Sequence, residues 1–179
     1  MPGMDTALFY AVNHGLQNPV FDVLMPFVSR YPNWMPLLLG IFGYFIYRDK
    51  KRGLLFFLLA AVALTASDFV CSTILKKAFA VPRPCITLPD VHLLAGCSHS
   101  GSFPSSHAAN SAAIATMLGL YDRRFWWFGI PAAILVCVSR PYLGVHYPSD
   151  VTAGALIGAA IAYGTMRLSG FAQKKQAAA

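Results

Sequence analysis

The sequence contains no glutamate, and charged residues make up only 12% of its 179 residues. The seven acidic residues are all aspartates and are scattered along the chain. Because Mg²⁺ is held by clustered carboxylates, this spacing argues against a metal-dependent enzyme, and we expect no metal site and no cofactor. Together with a hydrophobic fraction of 56%, the low charge also argues against a soluble domain.

Long apolar runs fill most of the chain, and several approach the roughly 20 residues that cross a bilayer as a helix. Five runs are expected to span the membrane, at residues 32–47, 53–75, 106–121, 125–142 and 149–168. The pattern predicts an all-α integral membrane protein, a helical bundle with five transmembrane helices in a single domain at residues 1–170.

The first 30 residues lack the basic start and apolar run of a cleavable signal peptide. They are predicted to form two short amphipathic helices that are broken at Asn18-Pro19 and lie along the membrane interface. Fusing part of this stretch with the first span would give six spans instead of five. Residues 171–179 are expected to be a disordered tail.

The formal net charge of +7 is concentrated in the joints between spans, which argues against a nucleic-acid partner. Nine of the fourteen basic residues fall in alternate joints, within 48–52, at 123–124 and at 167–175. The positive-inside rule places these joints and the C-terminus in the cytoplasm. The remaining loops then face the exterior, where Cys85 and Cys97 share one loop. A disulfide between them is possible, but sequence alone leaves it open.

Three polar clusters fall in the two joints assigned to the outer face. Lys76, Arg83 and Arg140 would together suit a phosphate group, because arginine offers forked donors and lysine adds a point charge. A proline follows each arginine and disfavours helix at the preceding residue. We therefore expect both arginines where a helix ends, at the rim of the bundle.

Two serine-rich turns are typical of helix starts, with Pro104 and Pro148 each predicted to be the first helical residue. The backbone N–H groups of Ser105, Ser106 and His107 would then form an anion site at the positive end of a helix.

His146 and Asp150 are four residues apart, so they could face each other if the helix extends back to the histidine. A carboxylate bonded to one ring nitrogen leaves the other nitrogen as a nucleophile. His107 could donate a proton to a leaving oxygen.

These residues carry a family resemblance that reaches from Lys76 to Asp150. The run of Lys76, six residues and Arg83-Pro84, then Pro104 to His107, then Ser139-Arg140, five residues, His146, three residues and Asp150 closely resembles the three-part signature of the type 2 phosphatidic acid phosphatase superfamily. The resemblance implies metal-free attack on phosphorus by His146, oriented by Asp150, a phosphohistidine intermediate, and His107 as general acid. It also implies phosphate binding by Lys76, Arg83, Ser105, Ser106 and Arg140.

The second motif departs from the family pattern, which usually has glycine where this chain has Ser106. Small bacterial members that hydrolyse undecaprenyl diphosphate also depart there and carry a similar amphipathic N-terminal piece. The resemblance therefore favours undecaprenyl diphosphate as substrate, in a bacterial inner membrane with the site facing the periplasm or exterior. Phosphatidylglycerophosphate, phosphatidic acid and lipid A phosphate are alternatives.

Two rival functions stay open at this point. One is a phosphotransferase that passes the phosphoryl group to another lipid, and the other is a protein that binds or transports a lipid anion without hydrolysis. The expected partners are the lipid substrate and membrane lipid, with no protein partner required.

Overall fold

The computed structural model describes residues 2–171, which form helices and loops and contain no β-strand. The main helices are α1 (Pro2–Asn13), α2 (Pro19–Ser29), α3 (Tyr31–Arg48), α4 (Lys50–Asp68), α5 (Lys76–Phe79), α6 (Pro84–Thr87), α7 (Ser106–Tyr121), α8 (Trp126–Tyr142) and α9 (Pro148–Leu168). A π-helical segment at Phe69–Leu75 joins α4 to α5, and a 3₁₀ turn at Arg123–Phe125 precedes α8. The predicted all-α architecture is confirmed.

The five apolar runs coincide with α3, with α4 and the π-helical segment, and with α7, α8 and α9. By length and hydropathy, the segments Lys50–Thr87 and Pro148–Leu168 are able to cross a membrane. On α4, the side chains of Leu58 and Val62 are 54% and 59% exposed. Apolar side chains that face outward along a long helix are typical of contact with lipid. The count of five or six spans stays a prediction.

Helices α7 and α9 pack against each other more extensively than any other pair. Two glycines on α9 make this possible, because a Cβ on Gly154 would collide with the carbonyl oxygen of Ser105, and one on Gly158 with that of Ala109. Small residues let helix backbones approach closely in membrane proteins. The segment that carries His107 is therefore pressed against the helix that follows His146.

A second core lies around the end of α8, where α2 packs against it. Met25 and Val28 of α2 are buried with Tyr142, Leu143 and Val145. The hydroxyl of Tyr142 donates to Asp22 on α2 at 2.5 Å and lowers the pKa of that carboxyl, and His92 lowers it further.

The predicted break between the N-terminal helices is present, and Asn18 caps α2 by accepting from the backbone N–H groups of Val20 and Phe21. Asn13 at the end of α1 is fully buried and donates to the carbonyl oxygens of Pro141 and Tyr142. These helices thus hold the turn between α8 and α9 in place. Their location at the membrane interface stays a prediction.

The basic joints meet at one end of the bundle. The guanidinium of Arg52, in the first turn of α4, lies 5.3 Å from the ring centroid of Tyr121 and 5.1 Å from that of Phe171. Phe171 is buried in the core with Phe56 and Met166. Residues 172–179, the rest of the predicted tail, lie outside the described residues.

Candidate active site

The turn between α8 and α9 carries the candidate nucleophile. His146 is 1% exposed and precedes α9, which begins at Pro148 as predicted. The pairing with Asp150 therefore does not use two positions of one helix. Instead Asp150 reaches back as part of a capping box and accepts from the backbone N–H of Tyr147 at 2.8 Å. This places Asp150 Oδ2 at 3.4 Å from His146 Nδ1.

The second nitrogen of His146 faces an arginine. Arg83 Nη1 lies 3.2 Å from Nε2 of His146 and 3.1 Å from the carbonyl oxygen of Val145. Because a guanidinium is always protonated and only donates, Nε2 must present its lone pair and the ring proton must sit on Nδ1. The tautomer that a nucleophile needs is thus fixed by its neighbours.

The environment of His146 keeps its ring uncharged. Burial lowers the pKa of His146 well below its usual value, and the positive charges of Arg140 and Arg83 lower it further. A hydrogen bond with the Ser102 backbone opposes the shift. The ring is therefore neutral at any pH near neutrality, and its Nε2 lone pair faces the Arg83 guanidinium.

Arg83 has extended backbone in the break between α5 and α6, as predicted for a residue before proline. Its remaining donors hold the outer loop: Nε donates to the carbonyl oxygen of Ser100 at 3.0 Å and Nη2 to that of Gly101 at 3.4 Å. The same loop is closed by a disulfide between Cys85 and Cys97. The pairing that the sequence left open is therefore present in the structure.

Arg140 lies in the last turn of α8, and the helix continues through Pro141 to Tyr142. The arginine thus lies where a helix ends, as expected, although the proline that follows it does not stop the helix. Arg140 is 8% exposed, its Nη1 donates to the hydroxyl of Ser29, and its Nε is buried with no hydrogen-bond partner among residues 2–171. A buried donor left open in this way is available to an anionic ligand.

The start of α7 differs from its prediction. The first helical residue is Ser106, not Pro104. Ser105 caps the helix, with its hydroxyl accepting from the N–H of Ala108 at 3.5 Å. Its own N–H is used by the carbonyl oxygen of Asp150 at 2.9 Å, so that group is not part of an anion cradle. The Ser105 hydroxyl proton is left to donate. Pro104 therefore lies one residue before the capping position, because serine is the better capping residue.

The hydroxyl of Ser106 faces the π-helical segment after α4, where it lies 2.8 Å from the hydroxyl of Ser72. Only its backbone N–H, at the first position of α7, remains to meet an anion. The ring of His107 stacks on Tyr31, with centroids 4.4 Å apart, and within residues 2–171 no hydrogen bond holds its nitrogens. Those nitrogens are free to exchange a proton with a ligand.

The remaining cation, Lys76, follows the π-helical segment and is half-buried. Electrostatic interactions join it to Arg83, Arg140 and Asp150, and join His107 to Lys76, Arg83, Arg140 and His146. The structure thus brings the three predicted cations and both histidines into one electrostatic cluster. Burying several cations close together raises the free energy of the folded protein unless an anion compensates their charge.

Sequence reasoning missed three residues of this site. Ser29 holds Arg140, Tyr31 stacks on His107, and Ser102 contacts both His146 and Asp150. Ser102 had a local signal, since it stands next to the second motif. Ser29 and Tyr31 had no such signal. Ser29 belongs to the stretch interpreted only as an interfacial segment, and Tyr31 stands just before the first predicted span.

The geometry agrees with comparisons to known proteins. The sequence model of the PAP2 superfamily matches residues 37–174. This chain belongs to the PAP2 superfamily. The family resemblance inferred from the three motifs is confirmed.

Among PAP2 relatives, the chain is 32% identical over 167 residues to the undecaprenyl-diphosphatase of Sulfolobus acidocaldarius, covering 90% of this chain and 76% of that protein. It is 31% identical over 166 residues to the lipid A 4'-phosphatase of Bacteroides thetaiotaomicron, covering 87% and 72% respectively. The fold matches the crystal structure of Aquifex aeolicus LpxE with a TM-score of 0.72 and 28% identity, covering 92% of this chain and 95% of that one. The protein is therefore a lipid phosphate phosphatase.

Proposed function

We propose that this PAP2 phosphatase removes the terminal phosphate of a lipid diphosphate through a phosphohistidine on His146. The first substrate we propose is undecaprenyl diphosphate, which would be converted to undecaprenyl phosphate. The observation that carries this proposal is the contact of Arg83 Nη1 with His146 Nε2 at 3.2 Å. This contact indicates that Nε2 carries the lone pair of a neutral imidazole and faces a group of cations. A bound phosphate would accept the Arg83 donor in place of Nε2 and leave the lone pair free to attack.

The proposed first step forms one bond and breaks one. The Nε2 lone pair of His146 attacks the terminal phosphorus, and the bond from phosphorus to the bridging oxygen breaks. His107 donates its proton to the leaving oxygen. Lys76, Arg83 and Arg140, with the Ser105 hydroxyl and the Ser106 N–H, stabilise the negative charge on the phosphoryl oxygens. Asp150 stabilises the positive charge that His146 gains.

The second proposed step returns the enzyme to its starting state. Water attacks the phosphohistidine, the bond from phosphorus to Nε2 breaks, and His107 takes a proton from the water. Inorganic phosphate leaves. The protons balance, because the one that His107 gave in the first step is replaced in the second.

An apolar cavity beside the site supports a lipid substrate. It has a volume of about 270 Å³ and lies between α3, α7 and α8, where its lining includes Leu38, Ile114 and Ala132. Its lining also includes Ser29 and Tyr31, which contact Arg140 and His107 respectively. A lipid with its headgroup among the cations could therefore place the first part of its tail here.

We propose that the site opens at the outer face of the bacterial inner membrane. The support is the uneven distribution of basic residues between the two ends of the bundle. Arg52 contacts the ring of Phe171 at the end that holds the basic joints. The positive-inside rule assigns that end to the cytoplasm. The site residues belong to the joints assigned to the other side of the membrane. The oxidising environment there also favours a disulfide such as Cys85–Cys97.

A panel of lipids tests the proposed function. We expect the purified protein in detergent with EDTA to release phosphate from undecaprenyl diphosphate with a higher kcat/KM than from phosphatidylglycerophosphate, phosphatidic acid or lipid A phosphate. Preference for one of the monophosphates would replace the proposed substrate. Loss of activity in EDTA would contradict the metal-free mechanism, and transfer to an added lipid acceptor in excess of hydrolysis would make the protein a phosphotransferase.

Filling the cavity tests the tail site. We expect Ala132→Phe to lower kcat/KM for a long-chain lipid substrate by about 10- to 100-fold, because the new ring occupies the space of several methylenes. Hydrolysis of a short-chain, water-soluble analogue should change little. The matched control is Ile134→Phe on the same helix, where the side chain is exposed and outside the cavity. An equal loss on both substrates would show damage to the site rather than to tail binding.

A further inference from the structure

Ser102 occupies a central position that the three motifs do not describe. Its side chain is fully buried, and its hydroxyl lies between the two residues of the nucleophilic pair. The hydroxyl donates a short hydrogen bond to Asp150 Oδ2 and lies 3.4 Å from His146 Nδ1. It thus contacts both partners at once.

The direct contact within the pair is weaker than the sequence suggests. His146 Nδ1 is 3.4 Å from Asp150 Oδ2, which is longer than a good charge-assisted hydrogen bond. Asp150 Oδ2 is already engaged by the Ser102 hydroxyl and by the N–H of Tyr147. The Ser102 hydroxyl lies at the same distance from Nδ1, 3.4 Å, and has hydrogen-bond geometry toward it.

Donor and acceptor roles agree along this chain of contacts. Arg83 donates toward Nε2, so the proton of His146 sits on Nδ1 and points toward Ser102. The hydroxyl oxygen can accept that proton's hydrogen bond while its own proton is given to Asp150. Each contact then has one donor and one acceptor, and no proton needs to leave its atom.

The backbone holds Ser102 in this place. Its N–H donates to the carbonyl oxygen of Val81 at 2.7 Å. The preceding Gly101 is pressed against the end of the second span, since a Cβ there would lie 2.8 Å from the carbonyl oxygen of Lys76. Arg83 also donates to the carbonyl oxygen of Gly101. A side chain on such a fixed backbone can orient its partners.

We infer that Ser102 is a positioning residue whose hydroxyl connects His146 to Asp150 and holds the imidazole in its nucleophilic orientation. This inference rests on the proposed function. When Nε2 bonds to phosphorus the ring becomes positive, and the charge of Asp150 stabilises it through the serine hydroxyl while the proton stays on Nδ1. The interaction strengthens as the ring gains charge, so its loss should affect kcat more than KM.

The test uses the full-length protein in detergent and the lipid that the wild type hydrolyses best. We expect Ser102→Ala to lower kcat by about 10- to 100-fold, as is common when the partner that orients a histidine is removed, with KM changed by less than about twofold. The matched control is Ser98→Ala in the same loop, where the serine is exposed and kcat should stay near the wild-type value.

A double-mutant cycle separates this role from a packing role. In an Asp150→Asn background the connection is already broken, so adding Ser102→Ala should lower kcat little further. If the two losses multiply instead, Ser102 acts independently of Asp150 and the inference is overturned. A Ser102→Ala enzyme with wild-type kcat overturns it as well.

A near-isosteric variant guards against a folding defect. Ser102→Cys keeps the shape of the side chain and replaces the hydroxyl by a weak donor, so we expect kcat between the wild-type and alanine values, with an unchanged elution profile in detergent. Wild-type kcat in the cysteine variant contradicts the inference. A wild-type protein that releases no phosphate from any lipid is a different result, because it contradicts the proposed function itself.

Discussion

Phosphate release should fall by about 10⁴-fold or more when His146 is replaced by alanine, because the variant has no nucleophile and the remaining groups can only bind substrate. The effect should appear in kcat, with lipid still bound by the cations. His146 is buried beside Arg83, so its loss also leaves a guanidinium without one of its neighbours. The charge of that arginine remains available to phosphate, which is why binding should survive.

Two measurements check this result. The first is steady-state phosphate release by the wild type, by His146→Ala and by His99→Ala, where the histidine is exposed on the outer loop and its replacement should have little effect. The second is an acid quench after brief mixing with labelled lipid. Acid-labile label should attach to the wild type and be missing from His146→Ala. Full activity of the alanine variant would exclude the proposed mechanism, and tight binding by the wild type without any label would favour a binding protein.

Arg83→Lys should lower kcat/KM by about 10²- to 10³-fold, although the charge is kept. A guanidinium donates in several directions at once, and Arg83 uses this to reach His146 and Val145 on one side and Ser100 and Gly101 on the other. An ammonium cannot span these partners. The lysine variant should therefore lose both a phosphate donor and the link between the outer loop and the nucleophile.

The comparison variant is Arg123→Lys, the same change at an exposed position in the basic joint before α8. Both proteins should elute alike in detergent, and only Arg83→Lys should lose activity. Activity near the wild-type value in Arg83→Lys would show that charge alone is needed at this position. A loss confined to KM would assign the arginine to substrate binding and remove its part in the chemical step.

The helices could be predicted closely because apolar runs bounded by charged or proline residues are a local property of the chain. The candidate site could be predicted in part for the same reason, since Asp150 reaches His146 across four residues. Ser29 could not, because its partner lies 111 residues away and meets it only through packing. Ser102 stands next to the second motif, but its contact with His146, 44 residues away, also depends on packing.

The errors also have physical causes. Pro104 was expected to begin α7, but Ser105 is the better capping residue and takes the position before the helix. The His146–Asp150 pairing was expected along one helix only if that helix extended back to His146; α9 begins at Pro148, and a capping box brings the carboxylate back to the turn. In both cases a side-chain hydrogen bond at a helix end outweighed the simple spacing rule.

The close contact of α7 and α9 has a consequence for how the protein can move. Gly154 and Gly158 bring the α9 backbone against the carbonyl groups of Ser105 and Ala109, so neither helix can slide past the other without a clash. The supports of both histidines thus form one stiff unit. An opening that admits a bulky lipid is therefore expected on the side of α2 and α3, which line the apolar cavity together with α7 and α8. Because Tyr31 on α3 stacks on His107 and Ser29 on α2 holds Arg140, such an opening would also move groups that contact the site residues, so entry of the tail and alignment for the chemical step are mechanically coupled.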